Sequence, residues 1–300
     1  MCEQPEGLVS SGCFFVANSA ILIALITTKE SQMEQRILFF DIDGTILTDD
    51  GKRQIPESTR RALAAAKEKG HLVFVNTGRV FLNVEPMIRN LGFDGFVCGC
   101  GTNIYYHGEE LLRHRIPAEQ CRETVRVIQR CEIQALYEAA DMNGFDHQGA
   151  TDNPMMEGLI RYFTEDGRVV VDVNAPGFHF DKLTGWIPAG QDISEFLSYI
   201  RGRYEFIDRG SNDDYQMCEI VPAGFSKASG MKFLLDYFGI PHERSYAFGD
   251  STNDLPMLNY AAHSVAMGGS AQVVCDAVEF VTRSIYEDGL EYAMQYFGLI

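Results

Sequence analysis

Three times along this chain a short, largely apolar run stops abruptly at residues suited to holding charge or donating hydrogen bonds. Ile37 to Phe40 runs into Asp41-Ile42-Asp43-Gly44-Thr45, His71 to Val75 into Asn76-Thr77-Gly78-Arg79, and Tyr246 to Phe248 into Gly249-Asp250-Ser251-Thr252-Asn253-Asp254. A run of that length with no polar face is expected as a buried strand of a parallel sheet. Helical patterns separate the runs. Pro56 opens STRRALAAAKEK and Gly70 closes it, a second helix follows Lys227 through Tyr237, and a third follows Asn253. Phe93 to Val97, Ser264 to Met267 and Glu279 to Thr282 complete the expected strands. Alternating strand and helix predicts an α/β fold whose sheet is covered on both faces and binds ligands at the carboxyl ends of its strands.

Between Pro117 and about Arg209 this rhythm breaks. A helical run from Ala118 to Arg130 is followed by strand candidates mixed with polar stretches. Gly144, Gly149, Gly158, Gly167 and Gly177 punctuate them and suggest hairpins. The expectation is a Rossmann-like, doubly wound core from residues 33–116 and 210–300, with an α+β cap domain, 117–209, inserted. Residues 1–32 differ again. Cys13 to Ile26 is apolar but shorter than the ~20 residues a spanning helix needs, and MCEQPEG before it holds no Lys or Arg. Met33 is expected as the natural start, with 1–32 an upstream extension; a weak membrane anchor is the other reading of that segment.

The net charge of −17 argues against a nucleic-acid partner, which calls for clustered cations. An acidic protein can still bind phosphate where a metal ion reverses the local field. Eight cysteines at irregular spacing in a long chain point to free thiols in a reducing, cytoplasmic setting.

The strand ends carry the chemistry. Side chains at i and i+2 of a strand share a face, so Asp41 and Asp43 project together. Two such carboxylates repel unless a cation or a shared proton relieves them, and hard oxygen ligands suit magnesium. Gly44 permits a sharp exit from the strand. The alternative is a turn with solvated aspartates. Thr77 and Gly78 offer a hydroxyl and an approachable backbone N–H to a phosphate oxygen, although Thr-Gly is also a common cap and turn pair. Asp250 and Asp254, with Asn253 beside them, suggest a second hard-metal ligand set or a helix N-cap cluster. A lone lysine such as Lys227 is ordinarily a solvated surface charge.

In this order the four segments resemble the haloacid dehalogenase superfamily of phosphatases, and in detail its Cof-like subfamily with a type IIB cap. DIDGT, VNTGR, the Lys227 helix and GDSTND carry the resemblance, together with Ser264-Val265-Ala266-Met267-Gly268 and Glu287-Asp288-Gly289. It implies that Asp41 is the nucleophile, and that Asp43 is the general acid and then the general base. It implies Mg2+ held by Asp41, the Asp43 main-chain carbonyl and Asp250, supported by Asp254. Thr77, Gly78 and Lys227 would grip the phosphoryl oxygens and Asn253 would orient its neighbours. The implied reaction is magnesium-dependent hydrolysis of a small phosphorylated metabolite, a sugar phosphate or phosphorylated cofactor, through an aspartyl-phosphate. A phosphohexomutase of the same superfamily and a non-catalytic phosphate-binding protein are the alternatives; no membrane partner is expected and the oligomeric state is open. Only 33 residues separate Asp43 from Thr77, whereas 149 separate Thr77 from Lys227, which leaves room for the cap there. Where relatives often carry Asn-Gly-Ala, this chain reads Cys98-Gly99-Cys100-Gly101-Thr102, so the leaving-group contact usually assigned there is in doubt. Tyr137 and Arg161 are the cap residues singled out for testing.

Overall fold

The structure, a computed structural model, describes residues 35–147 and 154–300. The extension 1–32, Met33 and Gly149 lie outside the described residues. The strands are β1 (Ile37–Phe40), β2 (Leu72–Asn76), β3 (Gly95–Cys98), β4 (Asn103–Tyr106), β5 (Glu109–Arg113), β6 (Gln134–Glu138) and β7 (Asn143–Phe145). They continue as β8 (Val170–Asp172), β9 (Lys182–Pro188), β10 (Tyr204–Ser211), β11 (Tyr215–Pro222), β12 (Ser245–Gly249), β13 (His263–Ala266) and β14 (Phe280–Val281). Eight of them form one sheet in the order β14-β13-β12-β1-β2-β3-β4-β5. From β14 to β3 every pair is parallel, and β4 and β5 add an antiparallel edge.

The apolar runs are apolar throughout because both sheet faces are covered. Leu38 and Phe40 join a core with Ala62, Leu63 and Ala66 of the helix Glu57–Glu68 and with Leu290 and Met294 of the helix Gly289–Tyr296. Ile37 and Phe39 turn the other way, onto Met231 and Leu234 of the helix Lys227–Phe238 and Leu258 of the helix Leu255–Tyr260. Chain order reverses between β1 and β12, where doubly wound sheets place their ligands.

A second, six-stranded sheet, β10-β11-β9-β6-β7-β8, is antiparallel except for β7 with β8. One face packs on the helices Ala118–Arg130 and Ser194–Ile200, the other in part on the helix Pro154–Glu165. This α+β cap reaches further along the chain than the boundary near Arg209 allows. That boundary falls inside β10, whose antiparallel partner β11 ends at Pro222. β10 carries polar residues over half its length and joins β11 by a short turn, so its sequence reads as connection. We propose Pro117 to Pro222 as the insert. Among the described residues no helix is long and apolar enough to cross a membrane.

β1 and β12 are locked by the stacked rings of Phe40 and Phe248, 4.7 Å apart and both fully buried. Phe248→Ala removes one ring from a filled site and is expected to cost about 3–5 kcal/mol in urea unfolding. A loss under about 1 kcal/mol would show that this seam does not hold the site strands together.

Candidate active site

β1 and β12 lie side by side and parallel, so their carboxyl ends deliver Asp41 and Asp250 to the same edge of the sheet. The Asp41 N–H donates to the Phe248 carbonyl at 3.0 Å, and one strand further on the Thr77 N–H donates to Val97 O at 2.9 Å. There Asp41, Asp43, Thr77, Gly78, Asp250 and Asn253 line a cavity of about 260 Å³. Gly44 turns the chain at φ +76°, and any Cβ on it would collide with the Asp250 carboxylate. Glycine is therefore required for the two loops to approach.

Lys227 is no surface charge. Ser226 and Ser229 form a capping box that starts its helix, and the side chain is buried beneath the cavity. Its ammonium donates to Asp41 Oδ1 at 2.6 Å and Asp254 Oδ1 at 2.5 Å. Burial works against the ammonium, but Asp254 and Asp41 outweigh it and hold Lys227 charged well above its ordinary range. The other Asp254 oxygen accepts the Asp250 and Ser251 N–H groups, each at 3.0 Å. Asp254 thus fixes the lysine and the loop, with both oxygens engaged.

Asp41, Asp250 and Asp254 have carboxylate oxygens within 4.8 Å of one another. Burial, then Asp254, pushes Asp41 up to about 7. Burial, then Asp41, pushes Asp250 up to about 8, and its hydrogen bond from Thr45 Oγ1 is long, at 3.4 Å. Asn253 accepts a hydrogen bond from Ser251 Oγ.

Asp43 is half-exposed and lies in the fork of Arg79, which donates from Nη2 at 2.7 Å to Oδ1 and 2.7 Å to Oδ2 and from Nε at 3.0 Å. Arg53 approaches the same carboxylate at 3.3 Å, and both arginines also hold Glu85. All the residues singled out on the core strands are thus brought together, with Lys227 and Asp254 as the floor.

The sequence reading missed a second buried charge cluster, where the cap meets the core. Lys182 on β9 donates to Glu219 Oε1 of β11 at 3.1 Å and to the Gly78 carbonyl at 3.0 Å, and lies 3.3 Å from Glu138 of β6. Thr184 and Asn83 also donate to Glu138, and Asn83 exchanges amide hydrogen bonds with Asn143. The available signal was a charged residue beginning, ending or interrupting each of three largely apolar strands, Lys182 first in β9, Glu138 last in β6 and Glu219 within β11. Tyr137 does not reach the site; it packs on Phe178 and Phe180 in the cap's own core. Arg161 is exposed and does not line the cavity. In the departed segment, Cys98 is core packing, and the Cys100 N–H supports the Thr77 carbonyl at 3.1 Å. Burial, then Glu219, pushes the Cys100 thiol up to about 12, so it is an inert neighbour of the site.

A family model described as haloacid dehalogenase-like hydrolase matches residues 38–294. The 5-amino-6-(5-phospho-D-ribitylamino)uracil phosphatase YitU of Bacillus subtilis (strain 168) is 28% identical over 273 residues, 88% of this chain and 98% of the relative. The HMP-PP phosphatase of Serratia proteamaculans (strain 568) is 27% identical over 243 residues, 78% of this chain and 84% of the relative. The solved structure of the HAD subclass IIB sugar phosphatase BT4131 matches with a TM-score of 0.71 at 27% identity, over 88% of this chain and 100% of that one. The chain belongs to the haloacid dehalogenase-like hydrolases, in the Cof-like branch with a type IIB cap. It is a phosphoric monoester hydrolase.

Lys182→Met leaves Glu138 and Glu219 buried without their shared cation. The expected cost is about 3–5 kcal/mol, read as a lowered urea midpoint in the fluorescence of Trp186, the chain's single tryptophan, on the same strand. An unchanged midpoint would mean that the cluster does not hold the cap to the core.

Proposed function

We propose that the protein is a magnesium-dependent phosphatase that hydrolyses a small phosphomonoester through an aspartyl-phosphate on Asp41. One observation carries this reading: Asp41 is a buried carboxylate with one oxygen pinned by Lys227, set beside Asp250 at adjoining strand ends. Pinning Oδ1 leaves the other oxygen to attack phosphorus, in a geometry that needs no further ordering. As the bond to the leaving alcohol breaks, Asp43 gives that oxygen a proton. Asp43 then takes a proton from water, the water oxygen attacks phosphorus, and inorganic phosphate departs as Asp41 is restored. Asp43 has to leave the Arg79 fork to carry that proton. Thr77, Gly78 and Lys227 would bind the phosphoryl oxygens, and Asn253 and Asp254 would keep the loop in place.

The donor set fits magnesium. It is all hard oxygen, and the carboxylate repulsion that adds to burial in pushing Asp41 and Asp250 up is what a divalent cation relieves. Asp41, the Asp43 carbonyl and Asp250 would hold the ion, which when bound offsets the charge of the phosphoryl oxygens. Six described cysteines are free, which supports a cytoplasmic setting. The three relatives are named for different leaving groups, which supports a shared phosphoryl site with a variable cap.

Asp41→Asn is nearly isosteric but cannot accept the phosphoryl group. It is expected to fold and to lose roughly 10⁴-fold or more in kcat on p-nitrophenyl phosphate; turnover like the wild type would refute the nucleophile.

A second test uses pH. Asp41 and Asp250 titrate higher folded than unfolded, so the folded chain holds more protons between 3.8 and about 8. Stability without metal therefore falls as pH rises through that window. In EDTA, Tm is expected to be lower near pH 8 than near pH 5, and Asp250→Asn should raise the pH 8 value. Magnesium should raise the wild-type Tm more near pH 8 than near pH 6, and should do so weakly in Asp250→Asn. An identical magnesium effect in that variant contradicts the ligand assignment.

A further inference from the structure

Two residues of the cap sheet, Arg209 and Glu219, line the same cavity as Asp41, Asp43, Thr77 and Asp250. They differ in how well they are satisfied. Glu219 accepts from Lys182 and has the Cys100 thiol 3.7 Å away. Burial opposes its charge, but Lys182 and Arg209 outweigh that and pull it down to about 2, so it is a fixed anion. Arg209 Nη1 is 3.9 Å from Glu219 Oε2, too far for a hydrogen bond, and it is buried with no hydrogen-bond partner. A donor left that way is costly unless something outside the chain completes it.

The backbone shows why this side chain faces the site. β10 and β11 pair in regular register from Tyr204 to Asp208, then slip between Asp208 and Ser211. Arg209 sits in that irregularity, beside Gly210 at φ +98°, whose N–H the Asp208 carboxylate accepts at 2.9 Å. Bulges next to active sites re-aim side chains that regular pleating would send elsewhere.

The charges decide what Arg209 can receive. At the junction Lys182 and Arg209 face Glu138 and Glu219, two of each sign, so the field there is balanced. A second anion on the substrate would meet Glu219 and Asp43, whereas a neutral oxygen gains a charge-assisted hydrogen bond at no such cost. Among the described residues no aromatic ring lines the cavity to stack on a flat heterocycle.

We infer that Arg209 is the cap's specificity-determining residue. Its free guanidinium N–H donates to a neutral hydroxyl or carbonyl oxygen of the leaving alcohol, so the site favours phosphates of hydroxyl-rich alcohols over plain alkyl phosphates. This rests on the phosphatase reading for the identity of the bound ester, and it adds to that reading the residue that selects it.

The test uses matched pairs that differ only in hydroxyls: glycerol 1-phosphate with propyl phosphate, and sorbitol 6-phosphate with hexyl phosphate. In the wild type, kcat/KM is expected to favour the hydroxylated ester by roughly tenfold or more in at least one pair. Arg209→Met should lower that ratio by a similar factor, and Arg209→Lys, which keeps a donor, should restore part of it. The same esters are titrated calorimetrically into Asp41→Asn with and without Arg209→Met, where binding is read without turnover. The same collapse of the ratio is expected in Kd. Equal losses on both members of each pair would make Arg209 a phosphoryl contact or a strut and overturn the inference. So would a ratio near one in the wild type for both pairs. If the calorimetric ratio behaves as expected but the wild type releases no phosphate from any ester, the phosphatase reading fails and the Arg209 assignment stands. If p-nitrophenyl phosphate is turned over and neither ratio moves, the reverse holds.

Discussion

The site depends on one buried ammonium. Lys227 bridges Asp41 at the end of β1 and Asp254 in the loop after β12, and it comes from the first turn of a separate helix, Lys227–Phe238. Without a cation at that point, three carboxylates within 4.8 Å would repel one another inside the protein. With it, Asp41 has one fixed and one free oxygen, and Asp254 can spend its second oxygen on the loop that carries Asp250. One cation does not balance three carboxylates, and their remaining repulsion adds to burial in pushing Asp41 and Asp250 up. That excess of negative charge supports the proposed divalent ion and, through it, the proposed phosphoryl group.

The cap joins the core by the same physics with the charges balanced. Lys182 stands between Glu138 and Glu219 and reaches the Gly78 carbonyl, so the cap's hold on the core runs through the backbone of the Thr77-Gly78 segment. Glu219 belongs both to this junction and to the cavity wall. Any change in how the cap sits is thereby felt where the phosphoryl group would lie. In the proposed reading the core strand ends would hold the phosphoryl chemistry, while the cap sheet would supply the groups facing the leaving alcohol.

How much of this was legible in the sequence varies with the distance over which a residue finds its partners. The core strands were readable because burial on both faces leaves four or five consecutive apolar residues with no alternation, and their polar ends mark the sheet edge. Lys227 read alone is a surface lysine; only its place among the other motifs suggested otherwise, because its carboxylates lie 186 and 27 residues away. Lys182 gave less, since Glu138, Glu219 and Gly78 are strangers to it in sequence. The β10–β11 hairpin reads as the return to the core because polar residues fill half of β10, and nothing local to Arg209 in sequence marks it as facing the site. Tyr137 stands near the end of a largely apolar strand, and the structure buries it in the cap's own core.

The central claim is that the phosphoryl group passes through Asp41, and acid quenching tests it most directly. An ester labelled with radioactive phosphorus is mixed with enzyme and magnesium, stopped in acid within the first turnover, and the protein digested and mapped. The account predicts label that is stable in acid, released by hydroxylamine, and confined to the peptide containing Asp41. Label on another residue, or none trapped while the ester is demonstrably consumed in a single exponential with no protein-bound phosphate at any time, would contradict it.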